Sequence, residues 1–297
     1  MKSMSNLIWS NEMIYALYKR TRILPRVYMK FLEDKFQKDL TLARSHISTD
    51  HPIVYMGFKM VIDPLERHDL QFIILKDKNL VYEEEVVSFI KQNQNENITF
   101  IDVGANNGFF SLLVASMSPE NTVYSFEPSP KAYRRLITNI IQNGFKNIHP
   151  FNIALGSKKE DAYLNISNCE DGLNSLKSIK GSGERIPVHV TTLDNFFGSK
   201  KVDFVKIDVE GMEEEVIRGA SGVISHNKRV KIIFEHNANF IKKGSDNGIN
   251  FLRDLGLSID FIEYDHNCLR LNPITEVRNL PRLCNLVASR NLVSSNH

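Results

Sequence analysis

From Ile53 onward, short apolar runs alternate with amphipathic or glycine-broken stretches, and the period of the pattern changes repeatedly. Runs at Ile98–Val103, Thr122–Glu127, Ile148–Ala154, Val202–Asp208, Val230–His236, Leu257–Tyr264 and Asn285–Ser289 read as buried strands. Helical spacing fits Gly108–Met117, Pro130–Asn143, Glu213–Gly219 and Gly248–Leu255, and Gly144 is placed to stop the second of these. Continuous apolar strands alternating with helices predict an α/β protein with a mostly parallel sheet covered on both faces. Upstream, Ile53–Ile62 reads as a strand, Asp63-Pro64 as a turn and Gln71–Leu75 as another strand. A short helix over Tyr82–Phe89 follows, with Glu83, Glu84 and Glu85 favourably placed at its positive end. Between Asp161 and Thr192 the alternation stops, and Ala162–Ser167 and Arg185–Thr192 read as two extra strands around a glycine-containing connection.

The first 50 residues behave differently. Lys2, Lys19, Arg20, Arg22, Arg26, Lys30, Lys35, Lys38 and Arg44 face only Glu12, Glu33, Asp34 and Asp39 before Asp50 is reached. Leu7, Ile8, Trp9, Ile14, Leu17 and Tyr18, then Val27, Tyr28, Phe31 and Leu32, recur at helical spacing on either side of Pro25. Two basic amphipathic helices result. They fit either an anionic membrane surface or packing on the rest of the protein or a partner subunit. The expected organisation is therefore an arm over 1–50, strands and a helix over 51–97 leading into the core, and the main α/β domain over 98–292.

Composition narrows the class. The chain has 297 residues, 42% hydrophobic and 24% charged, which is ordinary for a globular protein. A net charge of +2 offers no bulk polyelectrolyte character, so nucleic acid is not expected as a partner. Cys169, Cys268 and Cys284 are odd in number and form no Cys-x-x-Cys pair, which fits a reducing, cytoplasmic setting.

Candidate chemistry concentrates in Phe100-Ile-Asp-Val-Gly-Ala-Asn-Asn-Gly-Phe-Phe-Ser111 and Tyr124-Ser-Phe-Glu-Pro128. Gly104 and Gly108 let backbone approach a ligand, and the helix that follows offers free N–H groups to an anionic end. Glu127 ends an apolar strand about twenty residues on, where a carboxylate commonly accepts a ribose diol. Dinucleotide loops run Gly-x-Gly-x-x-Gly, but Asn106 stands at the second glycine position. That weakens a nicotinamide-dependent oxidoreductase and suits S-adenosyl-L-methionine. On the fourth core strand Lys206 and Asp208 share one face, with Glu210 in the next turn, and Glu235 and His236 end the neighbouring strand. These groups border the edge where a methyl group would project. A carboxylate there can orient or deprotonate a hydroxyl, and neither effect requires a metal. The dull alternative has Asp208 and Glu210 binding the loop and Lys206 serving as a buried counter-ion.

The chain resembles the FkbM family of S-adenosylmethionine-dependent methyltransferases. The likeness is carried by Asp102-Val-Gly-Ala-Asn-Asn-Gly108, Phe126-Glu-Pro-Ser-Pro130, Ala154-Leu-Gly156, Thr192-Leu-Asp194 and Val205-Lys-Ile-Asp-Val-Glu-Gly211. It covers roughly residues 53–290 and leaves the arm unexplained. It implies a seven-stranded Rossmann-like class I methyltransferase sheet with an antiparallel last strand, and O-methylation of a sugar, glycan or secondary-metabolite hydroxyl. By the same likeness, Asp102 supports the loop or reaches the cofactor's amino-acid portion, over a floor of Gly104, Ala105 and Asn106. Glu127, followed by Pro128, meets the ribose, and Asn152 and Ala154 lie near the adenine. Asp208, Glu210, Lys206 and His236 are the expected catalytic group, and Ser175 borders the substrate entrance. A catalytically inactive fold serving as a glycan-binding or assembly subunit is the non-enzyme alternative.

If the arm docks a lipid-linked acceptor at a membrane face, deleting residues 1–45 abolishes co-sedimentation with anionic liposomes while cofactor binding survives. Unchanged sedimentation excludes that role.

Overall fold

Thr99–Val103 (β3) forms the spine of the sheet, its last four residues all buried, as expected of a strand covered on both faces. In the computed structural model the described residues are 52–63, 67–94, 97–167, 176, 182–238, 247–265 and 268–290. The chain divides into two compact units. The first comprises Met1–His51 and Asp63–Leu65, so the basic arm and its expected helices lie outside the described residues. Ser175 also lies outside them.

The second unit opens with a hairpin, Ile53–Tyr55 (β1) and Phe58–Met60 (β2), then helices Arg67–Asp77 (α1) and Glu84–Asn93 (α2). After β3 come Phe109–Met117 (α3), Thr122–Phe126 (β4), Pro130–Asn143 (α4), Ile148–Phe151 (β5), Ala154–Leu155 (β6), Glu160–Ser167 (β7) and Ser182–Thr191 (β8). Leu193–Phe197 (α5), Phe204–Ile207 (β9), Glu213–Arg218 (α6), Ser221–His226 (α7), Lys231–Asn237 (β10), Asn247–Asp254 (α8), Ser258–Asp265 (β11), Cys268–Pro273 (β12) and Leu283–Ser289 (β13) complete it.

The main sheet has eight strands in the order β12-β11-β13-β10-β9-β3-β4-β5. The run β10-β9-β3-β4-β5 is parallel, and β13 is antiparallel to both β10 and β11. This is a doubly wound α/β sheet whose strand order reverses between β3 and β9. One strand exceeds the expected seven. β12 turns back on β11, its residues mostly exposed at the sheet edge, so no buried apolar run advertised it.

Strand parity divides the core in two. Phe100, Val123, Phe204, Ile233 and Val287 pack with α2, α3 and the β1–β2 hairpin. Ile101, Val103, Val205, Ile207, Ile232 and Phe234 pack with α5, α6 and α7 on the other face. Each fully buried Phe contributes roughly 2–3 kcal/mol by removal from water.

Three expectations change. Gln71–Leu75 lies within helix α1, because a short apolar run cannot distinguish strand from helix, and Phe72 is buried against Tyr82 and Phe109. Ile53–Ile62 folds back on itself at Met56-Gly57, both at positive φ. The run Ile148–Ala154 breaks into β5 of the main sheet and β6, which joins β7 and β8 in a separate three-stranded sheet. Asn152 and Ala154 therefore leave the main sheet's plane.

Asn139 on α4, fully buried, ties this scaffold to the glycine loop. Its Oδ1 accepts from Val61 N at 2.6 Å and its Nδ2 donates to Asn107 O at 2.8 Å. Asn139→Ala strands both backbone groups without a partner, so urea unfolding should show a loss of about 3 kcal/mol.

Candidate active site

The glycine loop is shaped by contact with the neighbouring strand. Gly104 adopts φ 81°, and a Cβ there would lie 1.8 Å from the carbonyl oxygen of Asp208. No other residue fits. Gly108, at φ 90°, is the N-cap of α3, and a Cβ there would lie 2.5 Å from the end of the Leu136 side chain. The N–H groups of Gly104 and Ala105 both donate to Phe126 O, at 2.9 and 3.0 Å, locking the loop to the end of β4. Asn106 adopts a left-handed φ of 49°. Its Oδ1 is buried and accepts no hydrogen bond from the described residues.

Glu127 stands directly beside this loop, 7% exposed. Its Oε2 accepts from Asn106 N and its Oε1 from Ser129 N, each at 2.8 Å. Each oxygen keeps a second lone-pair direction for another donor. Burial pushes this carboxyl up to about 7, against the pull of the Ser129 and Asn106 hydrogen bonds and the Arg135 charge. Asn152 donates its amide to Glu127 O and Pro128 O, at 2.8 and 3.0 Å. It therefore braces the acidic turn, and its amide nitrogen is committed. Ala154 is buried in β6.

Asp102 points inward. It is 2% exposed and accepts from Ser111 Oγ at 2.6 Å, while Ser111 also meets Ser125 at 2.7 Å. The contact ties β3 to the start of α3 and to β4. Burial raises its carboxyl, with Lys206 and Ser111 opposing.

Lys206 is 4% exposed in the middle of the sheet and donates to Asp208 Oδ2 at 2.9 Å. Glu83 Oε2 lies 3.9 Å from the same ammonium, and the Phe110 ring lies 4.4 Å away. Burial alone would lower the lysine, but the charges of Asp208, Glu83 and Asp102 override it and hold the ammonium charged. Glu83 is pushed up to about 7 by burial and by Asp208 and Glu85, against Lys206 and a hydrogen bond with Tyr82. Glu235 rises to about 8 through burial and the negative charges of Asp208, Glu213 and Glu83. Glu213 instead closes the turn after β9, its Oε1 accepting from Val209 N at 3.3 Å and Gly211 N at 3.0 Å. Glu210 occupies that turn at φ 51°.

The structure corrects one expected member of the group. Ile233 pairs with Lys206, so Glu235, two residues further along β10, shares the Lys206 face. His236 points to the opposite face with Phe234 and leaves the cluster. No group of three or more His, Cys, Asp or Glu residues suited to a metal occurs among the described residues. Glu83 was missed as a site residue. The sequence places it at a helix start, but only folding brings that start to Lys206 on β9.

A separate cavity of about 490 Å³ lies at the amino ends of β9 and β10, lined by Lys201, Asp203, Lys228, Arg229 and Lys231. Ligands of such sheets bind at the carboxyl ends, so this cavity is not the candidate site.

The model of the "Methyltransferase FkbM domain" matches residues 102–259, more than half of the chain. "Methyltransferase 1" of Beauveria bassiana is 28% identical over 40% of this chain and 57% of its own length. "2-O-methyltransferase NoeI" of Sinorhizobium fredii is 23% identical over 50% of this chain and 67% of its own. "Hexuronic acid methyltransferase AglP" of Haloferax volcanii is 25% identical over 51% of this chain and 62% of its own. The chain thus spans about three-fifths of the curated relatives it matches.

A carboxyl whose pKa rises on folding holds its proton more tightly in the native state. The stability contributed by Glu127 is therefore full below pH 4.5 and lost as pH climbs through about 7. In urea titrations at pH 4.5 and pH 8, Glu127→Gln should shrink the wild-type decline by about 3 kcal/mol.

Proposed function

Because this chain belongs to the FkbM methyltransferase family, we propose that it transfers a methyl group from S-adenosylmethionine to a hydroxyl oxygen of a sugar or glycan. The observation that carries this reading is the pairing of Glu127 with the Gly104–Gly108 loop. A buried carboxylate with two unused lone-pair directions suits a vicinal diol. Beside it, the buried Asn106 Oδ1, which accepts no hydrogen bond from the described residues, suits a donor such as the ammonium of the methionine portion. These residues fit the methyl donor.

Once the donor is bound, its sulfonium supplies an activated methyl group. The protein then has to hold the acceptor oxygen in line with the carbon and sulfur, and to exclude water. Asp208, 26% exposed at the tip of β9, and Glu235 at the tip of β10 border the space where that oxygen would sit. A sugar acceptor is supported by the names of two relatives, a 2-O-methyltransferase and a hexuronic acid methyltransferase. No helix among the described residues is long and apolar enough to cross a membrane. We also propose a cytoplasmic enzyme that can meet membranes through its basic arm. An oxidoreductase is disfavoured by Asn106, whose left-handed backbone and side chain occupy the place of a dinucleotide glycine.

Calorimetric titration tests the reading. S-adenosylmethionine should bind and the nicotinamide dinucleotides should not. Glu127→Ala should weaken donor binding about 100-fold, the loss of roughly two charge-assisted hydrogen bonds, with a cooperative thermal transition retained. Label from the methyl-labelled donor should appear in a glycan fraction of the cell's own extract. Failure of the wild-type protein to bind the donor ends the proposal.

A further inference from the structure

We propose that Glu83 takes the proton of the acceptor hydroxyl during methyl transfer, leaving Asp208 as the standing partner of Lys206. The inference rests on the methyltransferase reading and deepens it. A proton acceptor in this cleft needs a lone pair that is not already engaged and a fixed position beside the strand-order reversal between β3 and β9.

Most carboxylates nearby fail the first requirement. Asp208 Oδ2 is bonded to the Lys206 ammonium at 2.9 Å and serves as its counter-charge. Asp102 is sealed against Ser111, and Glu213 is held by the N–H groups of Val209 and Gly211. Glu127 accepts from Asn106 and Ser129, and its remaining lone-pair directions are those assigned to the donor's diol. Glu83 differs. Its Oε2 is buried and accepts no hydrogen bond from the described residues, and the Lys206 ammonium stands off at 3.9 Å. The carboxyl also takes a hydrogen bond from Tyr82, and the side chain as a whole is 19% exposed.

Its position is fixed at some cost. Glu83 has a left-handed backbone, φ 43° and ψ 56°, a strain of about 1 kcal/mol or more for a residue with a Cβ. The flanking aromatic cluster enforces it, with Tyr82 packed on Phe72 and Phe109 at 5.0 and 5.3 Å. The groups facing the carboxyl are Lys206 and Asp208 from the β9 segment, Glu235 from β10, and Tyr82 and Glu85 from its own segment. Their balance with burial places the carboxyl at about 7, where a base is effective near neutral pH. Glu235 is the rival, but it lies on β10, one strand further from the reversal.

The step balances without a co-reactant beyond the methyl donor. The acceptor oxygen bonds to the methyl carbon as the carbon–sulfur bond breaks and its electron pair stays on sulfur. The hydroxyl proton passes to Glu83 and then to water.

The test uses the full chain, the labelled donor and the extract fraction that the wild-type protein labels. Glu83→Gln should lower kcat 100- to 1,000-fold, leave the donor Kd within threefold and remove the rising limb near pH 7. Glu83→Asp, which keeps a carboxylate, should retain a limb at reduced rate and guards against misfolding of the amide variant. In the ligand-free protein carrying carboxyl-labelled glutamate, one ¹³C resonance titrating near pH 7 should vanish in Glu83→Gln. A Glu83→Gln rate within threefold of wild type overturns the proposal. So does a limb lost in Glu83→Asp, or a limb lost in Glu235→Gln and kept in Glu83→Gln. A wild-type protein that binds no donor and labels nothing refutes the methyltransferase reading itself, a result separate from all of these.

Discussion

An ammonium buried inside an apolar sheet must be neutralised where it lies, and Lys206 imposes that condition on everything around it. The strand that carries it is otherwise fully apolar, so its counter-charges have to arrive from outside. Asp208 comes from the same strand's tip, Asp102 from the adjoining strand and Glu83 from the start of a helix laid across the sheet. Phe110 closes the remaining side with its ring face. One cation thereby orders three acids from three parts of the chain. Removing it would leave several negative charges crowded in a low-dielectric space, which is more costly than the pair itself is stabilising.

The same region is held by a steric constraint. Gly104 meets the Asp208 carbonyl so closely that the glycine loop and the turn carrying Asp208 and Glu210 form a single packed element. The places proposed for donor binding and for chemistry are therefore mechanically joined. A shift of the β9 tip moves the glycine loop, and the loop in turn is tied to Glu127 through Asn106 N. Strain is spread over the joint, with Asn106, Glu83 and Glu210 all at positive φ. Non-glycine residues hold such angles only where their surroundings over-determine them, and here those surroundings are the two glycine-bearing turns and the aromatic cluster.

Acidity around the site follows from a surplus of carboxylates over cations. Glu83 and Glu235 cannot both ionise readily beside Asp208, so their protons are retained toward neutral pH. Glu127 reaches a similar range by a different route, burial against only partial hydrogen-bond compensation. Two parts of one cleft thus share a titration range for unrelated reasons. One part suits diol recognition and the other suits proton transfer.

The amino-acid order by itself determined the alternating α/β pattern, the glycine loop, the acid at the end of β4 and the shared face of Lys206 and Asp208. All of these are local, set by period, by spacing or by the absence of a Cβ. Gln71–Leu75 reads as a strand because its four consecutive apolar residues carry no period, yet it is helical with Phe72 packed against Tyr82 and Phe109. β12 went unseen because an exposed edge strand needs no apolar run. The tertiary structure alone decided that Glu235 rather than His236 enters the cleft, through the register of β10 on β9. It alone brought Glu83 to Lys206, across more than a hundred residues of chain. Side-chain parity is readable along one strand, but which strands and helices meet is settled by the packing of the whole sheet.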